Sequence, residues 1–296
     1  MLNLVWVRSF LALVDRKSFQ GAAELLYIAQ PTVSLHIQKL EEQLGVPLFH
    51  RSRSGCEPTR EALNFLPYAQ SIIRVNERAI ASVRGGPLRL GASSNIGIYL
   101  LQPYLRSFLD KQIAREVEVV IDRNPTIAER LENGEIDVAL MEWWDGRAGC
   151  EAQLWRSEPV VVIVPPGHPL AEQTVVSRSE LSEMELLGGE PGTGTGRLLA
   201  RYFGGAAKMP RVSRQLGSTE AVKQAVKAGL GVSLVFASAV SDEVRSGRLV
   251  AIPLASPGLS KDLFIVWGRT QAGAAEGLVE HLLEVPSVKE PQHALV

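Results

Sequence analysis

The sequence of 296 residues lacks several features that would assign it to other classes of protein. It has two cysteines, Cys56 and Cys150, whose wide separation fits neither a zinc motif nor a disulfide framework. No apolar run approaches the roughly 20 residues that a membrane-spanning helix needs. The apolar start is interrupted by Arg8 and has no basic segment before it, unlike a signal peptide. We therefore expect a cytoplasmic protein that does not interact with membranes.

Strong charge and recognisable catalytic pairs are also scarce. The net charge is −1, and residues 1–84 carry ten basic against seven acidic side chains, so charge alone does not predict a nucleic-acid partner. None of the five histidines stands near a serine, cysteine or carboxylate at an interval typical of a catalytic triad or metal site. We expect no enzyme activity, no cofactor and no metal. The length instead allows a large core and more than one domain.

The first 60 residues have the pattern of a helix-turn-helix, which places one helix in a DNA groove. Ser18 suits the N-cap of the first of these helices, and Pro31 suits the first turn of the second. The predicted buried face of the first helix comprises Ala22, Ala23, Leu25 and Leu26. The predicted buried stripe of the second, spaced four, three and four residues apart, comprises Val33, Ile37, Leu40 and Leu44.

The other face of the second helix is mainly polar, as contacts with base edges and phosphates require. Downstream, Arg51 and Arg53 lie around a Ser-Gly turn that predicts a two-stranded wing, with Val46, Leu48 and Phe49 closing the small core. An arginine at a wing tip suits the narrow minor groove. The predicted DNA-binding residues are Gln30, Pro31, Thr32, Ser34, His36, Lys39, Arg51 and Arg53.

Residues 59–84 are predicted to form one long helix that Thr59 caps and that Pro67 kinks or loosens by one turn. Its apolar positions follow a heptad spacing typical of a coiled coil, which favours a dimer through this helix. A helix packed on its own domain is the alternative. Gly85, Gly86 and Pro87 end the helix and mark a domain boundary. The predicted seam comprises Ala62, Leu66, Ala69, Ile73, Asn76, Ile80 and Val83.

From residue 88 onward, short strands alternate with helices, which predicts a sheet covered on both faces. Strands are expected at residues 88–92, 117–121, 136–140, 160–164, 185–188, 213–216, 231–236 and 263–267, and helices at residues 96–109, 126–133, 220–228 and 274–283, with another starting near residue 197. Thr126 and Glu129 have the spacing of a capping box.

Four of these strands lead into a helix through a loop rich in Ser, Thr, Asn and Gly. Ligands of open α/β sheets bind where such loops collect, and helix N-termini favour anions. We therefore expect the four loops to share one small anion or carboxylate, with Arg197 as a countercharge. The predicted effector-binding residues are Ser93, Ser94, Asn95, Asn124, Thr126, Thr193, Thr195, Arg197, Ser218 and Thr219.

The chain resembles the LysR-type transcriptional regulators in residues 10–14, 18–26, 30–44, 48–53 and 58–59, and again in residues 91–97, 131–139, 190–195 and 228–232. The resemblance implies an α/β protein with a winged helix-turn-helix at residues 1–58, a linker helix and hinge at 59–86, and a two-lobed, periplasmic-binding-protein-like effector domain at 87–296. Lobe 1 would hold residues 87–161 and 267–296, and lobe 2 residues 162–266. The implied partners are promoter DNA, an effector, further copies of the chain up to a tetramer, and RNA polymerase.

Two other functions remain open from the sequence. A constitutive DNA-binding protein without an effector would need no cluster of polar loops. An enzyme could use residues 192–196, Gly-Thr-Gly-Thr-Gly, for a phosphate-bearing substrate. That run lacks the spacing of the dinucleotide fingerprint, and no Lys-Ser/Thr follows it as in a P-loop. A ligand-switched transcriptional regulator is therefore the favoured prediction.

Overall fold

A computed structural model describes residues 1–52, 55–111, 116–189, 191–204, 209–256, 258–269 and 272–285. The chain divides into two compact units, one with Met1–Pro87 and Asn133–Glu135, the other with Leu88–Glu132 and Ile136–Val296. Among the described residues, no helix has the length and apolar character needed to cross a membrane.

The first unit is a small helical domain with a two-stranded hairpin. Its helices are α1 (Leu4–Arg16), α2 (Phe19–Leu26), α3 (Gln30–Leu44) and α4 (Arg60–Val83), and its antiparallel strands are β1 (Phe49–Ser52) and β2 (Gly55–Pro58). The core forms around Phe10, Leu13, Val33 and Leu40, all fully buried. The predicted helix-turn-helix and wing are confirmed. Two predicted core contacts are wrong, because Leu25 is 41% exposed and Val46 is 37% exposed.

The long helix α4 follows its predicted limits closely. Thr59 Oγ1 accepts a hydrogen bond from the Ala62 N–H at 3.0 Å, which is the predicted cap. The helix continues through Pro67 without a break. At its end Gly85 adopts a φ of 73°, and the Gly86 N–H donates to the Ala81 carbonyl at 2.7 Å. This is the left-handed glycine termination expected where a helix must stop.

The predicted coiled-coil seam on α4 is wrong in its first half. Ala62, Ala69 and Ile73 are buried in the core of the first unit, where α4 packs against α1. The heptad spacing correctly identified an apolar face, but that face is covered by the same chain. The alternative of a helix packed on its own domain therefore holds from Ala62 to Ile73.

The second unit is built on a mixed sheet in the order β10-β6-β11-β5-β3-β4, with β9 also paired to β6. The strands are β3 (Leu88–Ser93), β4 (Val117–Asp122), β5 (Val138–Met141), β6 (Cys150–Val164), β9 (Ser233–Phe236), β10 (Val250–Pro253) and β11 (Ser260–Gly268). A separate parallel pair consists of β7 (Glu185–Leu187) and β8 (Arg211–Arg214). The helices are α5 (Ser94–Tyr99), α6 (Leu101–Lys111), α7 (Asn124–Glu132), α8 (Arg178–Glu183), α9 (Gly194–Phe203), α10 (Thr219–Lys227), α11 (Ser241–Arg245) and α12 (Ala272–Glu284).

Strand β6 links two parts of this sheet. Its first part pairs with β11, and its last part, from Val160, pairs with β9 and β10. The sequence predicted that the chain returns to lobe 1 at residue 267. Strand β11 pairs with the first part of β6 from Ser260 onward, and it also pairs with β5. The chain therefore returns by Ser260. Apolar side chains of α6 and α12 cover one face of the sheet, and those of α7 cover the other, as the alternating pattern predicted.

Several predicted elements differ in their limits. The helix expected over residues 96–109 is two helices, α5 and α6, separated at Leu100. Helix α7 begins at Asn124, so Thr126 lies inside its first turn and does not cap it as predicted. The early start satisfies the backbone, because the Ile127 N–H donates to the Arg123 carbonyl at 3.0 Å.

Candidate functional site

Local hydrogen bonds fix the start of α2 and the connection from α3 to the wing. Ser18 Oγ accepts from the Gly21 N–H at 3.1 Å, which caps α2 as predicted. Tyr27 takes a left-handed φ of 55° and ends α2. Near the end of α3, Glu41 Oε1 accepts from the backbone N–H groups of Leu48 and Phe49, which follow the helix, at 2.7 and 3.2 Å. The Glu41 contacts tie the last turn of α3 to the start of the wing.

The exposed face of α3 contains part of the predicted DNA-binding set. Gln30, Pro31 and Lys39 are exposed, while Thr32 and Ser34 are half-buried at its edges. Gln30 Nε2 donates to Ser34 Oγ at 3.1 Å, which orders both groups on the surface. Lys39 Nζ lies 5.6 Å from the centre of the Trp6 ring, a cation–π contact that leaves the ammonium at the protein surface.

His36 has a different environment from the one expected. Its Nδ1 lies 2.8 Å from Ser9 Oγ, and Ser9, in α1, is fully buried. Burial, assisted by the charge of Lys39, lowers the pKa of His36. The hydrogen bond directs the imidazole towards α1 and links α3 to that helix. Leu35, 48% exposed, lies on that face and was not among the predicted site residues.

The wing arginines are only partly described. Arg51 belongs to β1, but its side chain lies outside the described residues, as does all of Arg53. Their predicted contacts with DNA stay predictions.

In the second unit, the four predicted loops surround one cavity of about 760 Å³. We call this cavity the cleft. Eight of the ten predicted effector residues line it: Ser94, Asn95, Asn124, Thr126, Thr193, Thr195, Ser218 and Thr219. Ser93 and Arg197 do not line it, because Ser93 is fully buried in β3 and Arg197 faces a second cavity.

A chain of hydrogen bonds crosses the cleft. Thr219 Oγ1 donates to Asn95 Oδ1 at 2.6 Å, and Asn95 Nδ2 donates to Glu142 Oε1 at 3.0 Å. Lys261 Nζ then donates to Glu142 Oε2 at 2.8 Å. Each side chain of this ion pair is 7% exposed. We call these four residues the polar chain.

Glu142 and Lys261 were missed by the sequence reasoning. They lie 119 positions apart, so no local spacing connects them. The one available signal was a carboxylate directly after the fully buried strand β5. Asn124 supports the same position, since its Oδ1 accepts from the Glu142 N–H at 2.8 Å and its Nδ2 donates to the Trp143 carbonyl at 3.1 Å.

The start of α9 packs directly against this ion pair. A Cβ added at Gly194 would lie 2.7 Å from both Glu142 Oε2 and Lys261 Nζ. Thr193 Oγ1 caps α9 by accepting from the Gly196 N–H at 3.0 Å. Ser218 Oγ caps α10 in the same way, accepting from the Ala221 N–H at 3.2 Å. The cleft therefore faces the positive ends of α7, α9 and α10.

Charges around the cleft are mostly paired. Arg123 is its one lining cation among the described residues. Three carboxylates also line it, but Glu142 is neutralised by Lys261, and Glu220 lies 3.1 Å from the ammonium of Lys223. Hydrogen bonds from Gln224 and Lys223 lower the pKa of Glu220. The third, Glu129, is exposed at the rim. The interior thus carries little net negative charge, and the helix ends can attract an anion.

Residues 4–63 match the model of the bacterial regulatory helix-turn-helix protein, lysR family, and residues 81–287 match the LysR substrate binding domain.

Two curated relatives are regulators. The putative HTH-type transcriptional regulator protein PtxE of Stutzerimonas stutzeri is 51% identical over 196 residues, which is 66% of this chain and 100% of that protein. The HTH-type transcriptional regulator CbbR of Sinorhizobium medicae is 34% identical over 252 residues, 83% of this chain and 80% of that protein.

The fold is also that of a solved regulator. The crystal structure of full-length CbnR in complex with its target DNA superposes with a TM-score of 0.68 at 23% identity, covering 95% of this chain and 99% of that one. Both domain models together span nearly all of the chain, and the curated relatives act in transcription. The chain therefore belongs to the LysR family of transcriptional regulators, with a DNA-binding helix-turn-helix domain and an effector-binding domain, and is not an enzyme.

Proposed function

We propose that this regulator changes its promoter contacts when a small anion, inorganic or a short carboxylate, binds in the cleft. The observation that carries the proposal is the convergence of three helix N-termini, α7, α9 and α10, on one cavity lined by hydroxyl and amide groups. Backbone N–H groups at helix starts bind oxyanions, and hydroxyls can reorient around them. The polar chain adds hydrogen-bond donors and acceptors whose present partners a ligand can replace.

Thr195 provides the cleanest test of this site. It lines the cleft, and among the described residues its hydroxyl has no hydrogen-bond partner. The Thr195→Val variant keeps the shape and removes the hydroxyl, so we expect weaker ligand binding with unchanged folding. A thermal-shift screen of sulfate, phosphate and short carboxylates identifies a ligand, and calorimetry then compares wild type, Thr195→Val and the exposed control Thr174→Val.

Two results would contradict this use of the cleft. One is equal affinity of wild type and Thr195→Val for the identified ligand. The other is DNA binding that no ligand alters, which would support the constitutive alternative. A ligand shifts an equilibrium between two shapes only by its difference in affinity for them.

On the DNA side, we propose that α3 enters the major groove with Gln30, Pro31, Thr32, Ser34 and Lys39 on its contact face, and that Leu35 joins them. An exposed leucine on such a face can contact a thymine methyl group. His36 acts indirectly through its bond to Ser9. Arg51 and Arg53 are proposed to contact the backbone or minor groove from the wing.

For assembly, we propose a dimer through a second apolar stripe on α4. It comprises Tyr68, Ile72, Val75, Ala79 and Val83, spaced four, three, four and four residues apart. Tyr68, Val75 and Val83 are 68%, 53% and 90% exposed, which is unusual for apolar side chains along one helix. The stripe is a quarter-turn away from the buried face that holds Ile73.

The stripe is tested by Val75→Glu, with Gln70→Glu as a matched control on another side of the same helix. Sedimentation should show a dimer for wild type and the control and a monomer for Val75→Glu, because the new charge would be buried unpaired. An intact Val75→Glu dimer would indicate another interface. A tetramer and contact with RNA polymerase are proposed on the family resemblance alone, and the domain limits at residues 58 and 86 are proposed on the same basis.

A further inference from the structure

A second cavity of about 450 Å³ lies beside the cleft in the second unit. The end of β5, one face of α9 and the start of β11 form its walls. It shares only Glu142, Trp143 and Gly194 with the cleft. Its other lining residues include Trp144, Arg197, Arg201, Tyr202, Lys261 and Asp262.

Two arginines on α9 face this cavity without carboxylate partners. Arg197 and Arg201 are one helical turn apart and exposed, and neither forms an ion pair with any described residue. Like charges four residues apart on a helix repel each other. An anion between the two guanidinium groups would relieve that repulsion.

The aromatic walls add a second kind of recognition. The Arg197 guanidinium carbon lies 5.3 Å from the centre of the Trp143 ring. The planar guanidinium group therefore lies over the indole ring. Trp144 and Tyr202, both half-buried, continue the apolar surface. The arginines therefore form a charged part of a cavity whose aromatic part suits a flat apolar group.

We propose that this cavity is a second ligand site, which binds an organic anion through a carboxylate or phosphate on Arg197 and Arg201 and through a flat body against Trp144. Asp262 is exposed on the β11 wall of the cavity and repels an anion. The anionic group of the ligand therefore lies on the α9 side. Lys261 forms an ion pair with Glu142. Arg197 and Arg201 are therefore the cations of this cavity that have no carboxylate partner among the described residues.

Calorimetry on the full chain tests the site with phenyl phosphate as the probe and inorganic phosphate as the comparison. Arg197→Gln combined with Arg201→Gln should weaken phenyl phosphate binding about tenfold or more, because charge-assisted bonds to an anion are lost. The matched control Arg245→Gln removes an exposed arginine of α11 that lines neither cavity and should bind as wild type. Inorganic phosphate should bind more weakly than phenyl phosphate, since it lacks the flat body.

The cleft variant Thr195→Val separates this site from the proposed effector site. Phenyl phosphate binding that survives Thr195→Val but fails in the arginine double variant supports the second cavity. The proposal is overturned if the double variant binds like wild type, if Thr195→Val alone abolishes binding, or if wild type gives no saturable heat. Equal affinity for phosphate and phenyl phosphate would overturn the role of the aromatic wall.

Discussion

Removing the ammonium of Lys261 tests how much the polar chain contributes to the free energy of unfolding. In the Lys261→Met variant, Glu142 would stay in a position that is 7% exposed and lose the cation that lies 2.8 Å from its Oε2. Breaking one side of a buried ion pair costs about 3–5 kcal/mol, because the remaining charge is desolvated without compensation. The Asn95 amide still donates to Glu142 Oε1 and offsets part of that cost. We therefore expect a loss near the lower end, about 3 kcal/mol.

Urea unfolding followed by tryptophan fluorescence measures this loss. The second substitution Glu142→Gln should restore most of the stability of Lys261→Met, since a neutral amide needs no cation and can still accept from Asn95. Lys111→Met, at an exposed position on α6, is the control and should stay within about 0.5 kcal/mol of wild type. A Lys261→Met variant within about 1 kcal/mol of wild type, or a double variant no more stable than the single one, would refute the reasoning.

Three further predictions concern other parts of the molecule. Lys39→Ala should weaken DNA binding across all sequences. It should also reduce the slope of log affinity against log salt concentration by about 0.9 if one phosphate contact is lost. An unchanged slope in a filter-binding series would contradict that contact. Gly194→Ala should destabilise the second unit by about 1–3 kcal/mol in urea, because its Cβ meets the Glu142–Lys261 pair, and wild-type stability would mean that the pair moves freely. Burial lowers the pKa of His281 below its usual 6.5. The unfolded chain therefore takes up this proton first, and stability falls as the pH drops from about 6.5 towards the lowered pKa. Comparison with His281→Gln should show a flatter pH profile for the variant in that window.

The sequence predicted most of the architecture because its strongest signals are local. The N-cap at Ser18, the Gly85 termination and the four strand-to-helix loops depend on neighbouring residues, and each is found where expected. Loop positions then led to the cleft, because strand ends of one sheet collect at one edge.

Local sequence patterns could not identify contacts between residues that are far apart in the chain. The spacing of Ala62, Ala69 and Ile73 identified an apolar face of α4, but periodicity cannot say whether a face is covered by the same chain or by another. The pairing of Glu142 with Lys261 depends on β11 returning beside β5, which is a property of the whole sheet. Arg197 was assigned to the cleft because it follows a cleft loop, yet one further turn of α9 carries it to the neighbouring cavity.

The attachment of α4 to the core of its own unit has a consequence for operator geometry. Because Ala62, Ala69 and Ile73 hold α4 against α1, the linker helix and the recognition helix α3 form one rigid body. Two chains paired along α4 would then present their α3 helices at a separation set by helix packing alone. In the proposed dimer, the distance between the two half-sites of a pair would therefore not depend on ligand. In the proposed tetramer, a ligand that changes promoter contacts would then act on the spacing between one pair and the next. Footprints would show this as a change in the length of unprotected DNA between two protected segments of constant size.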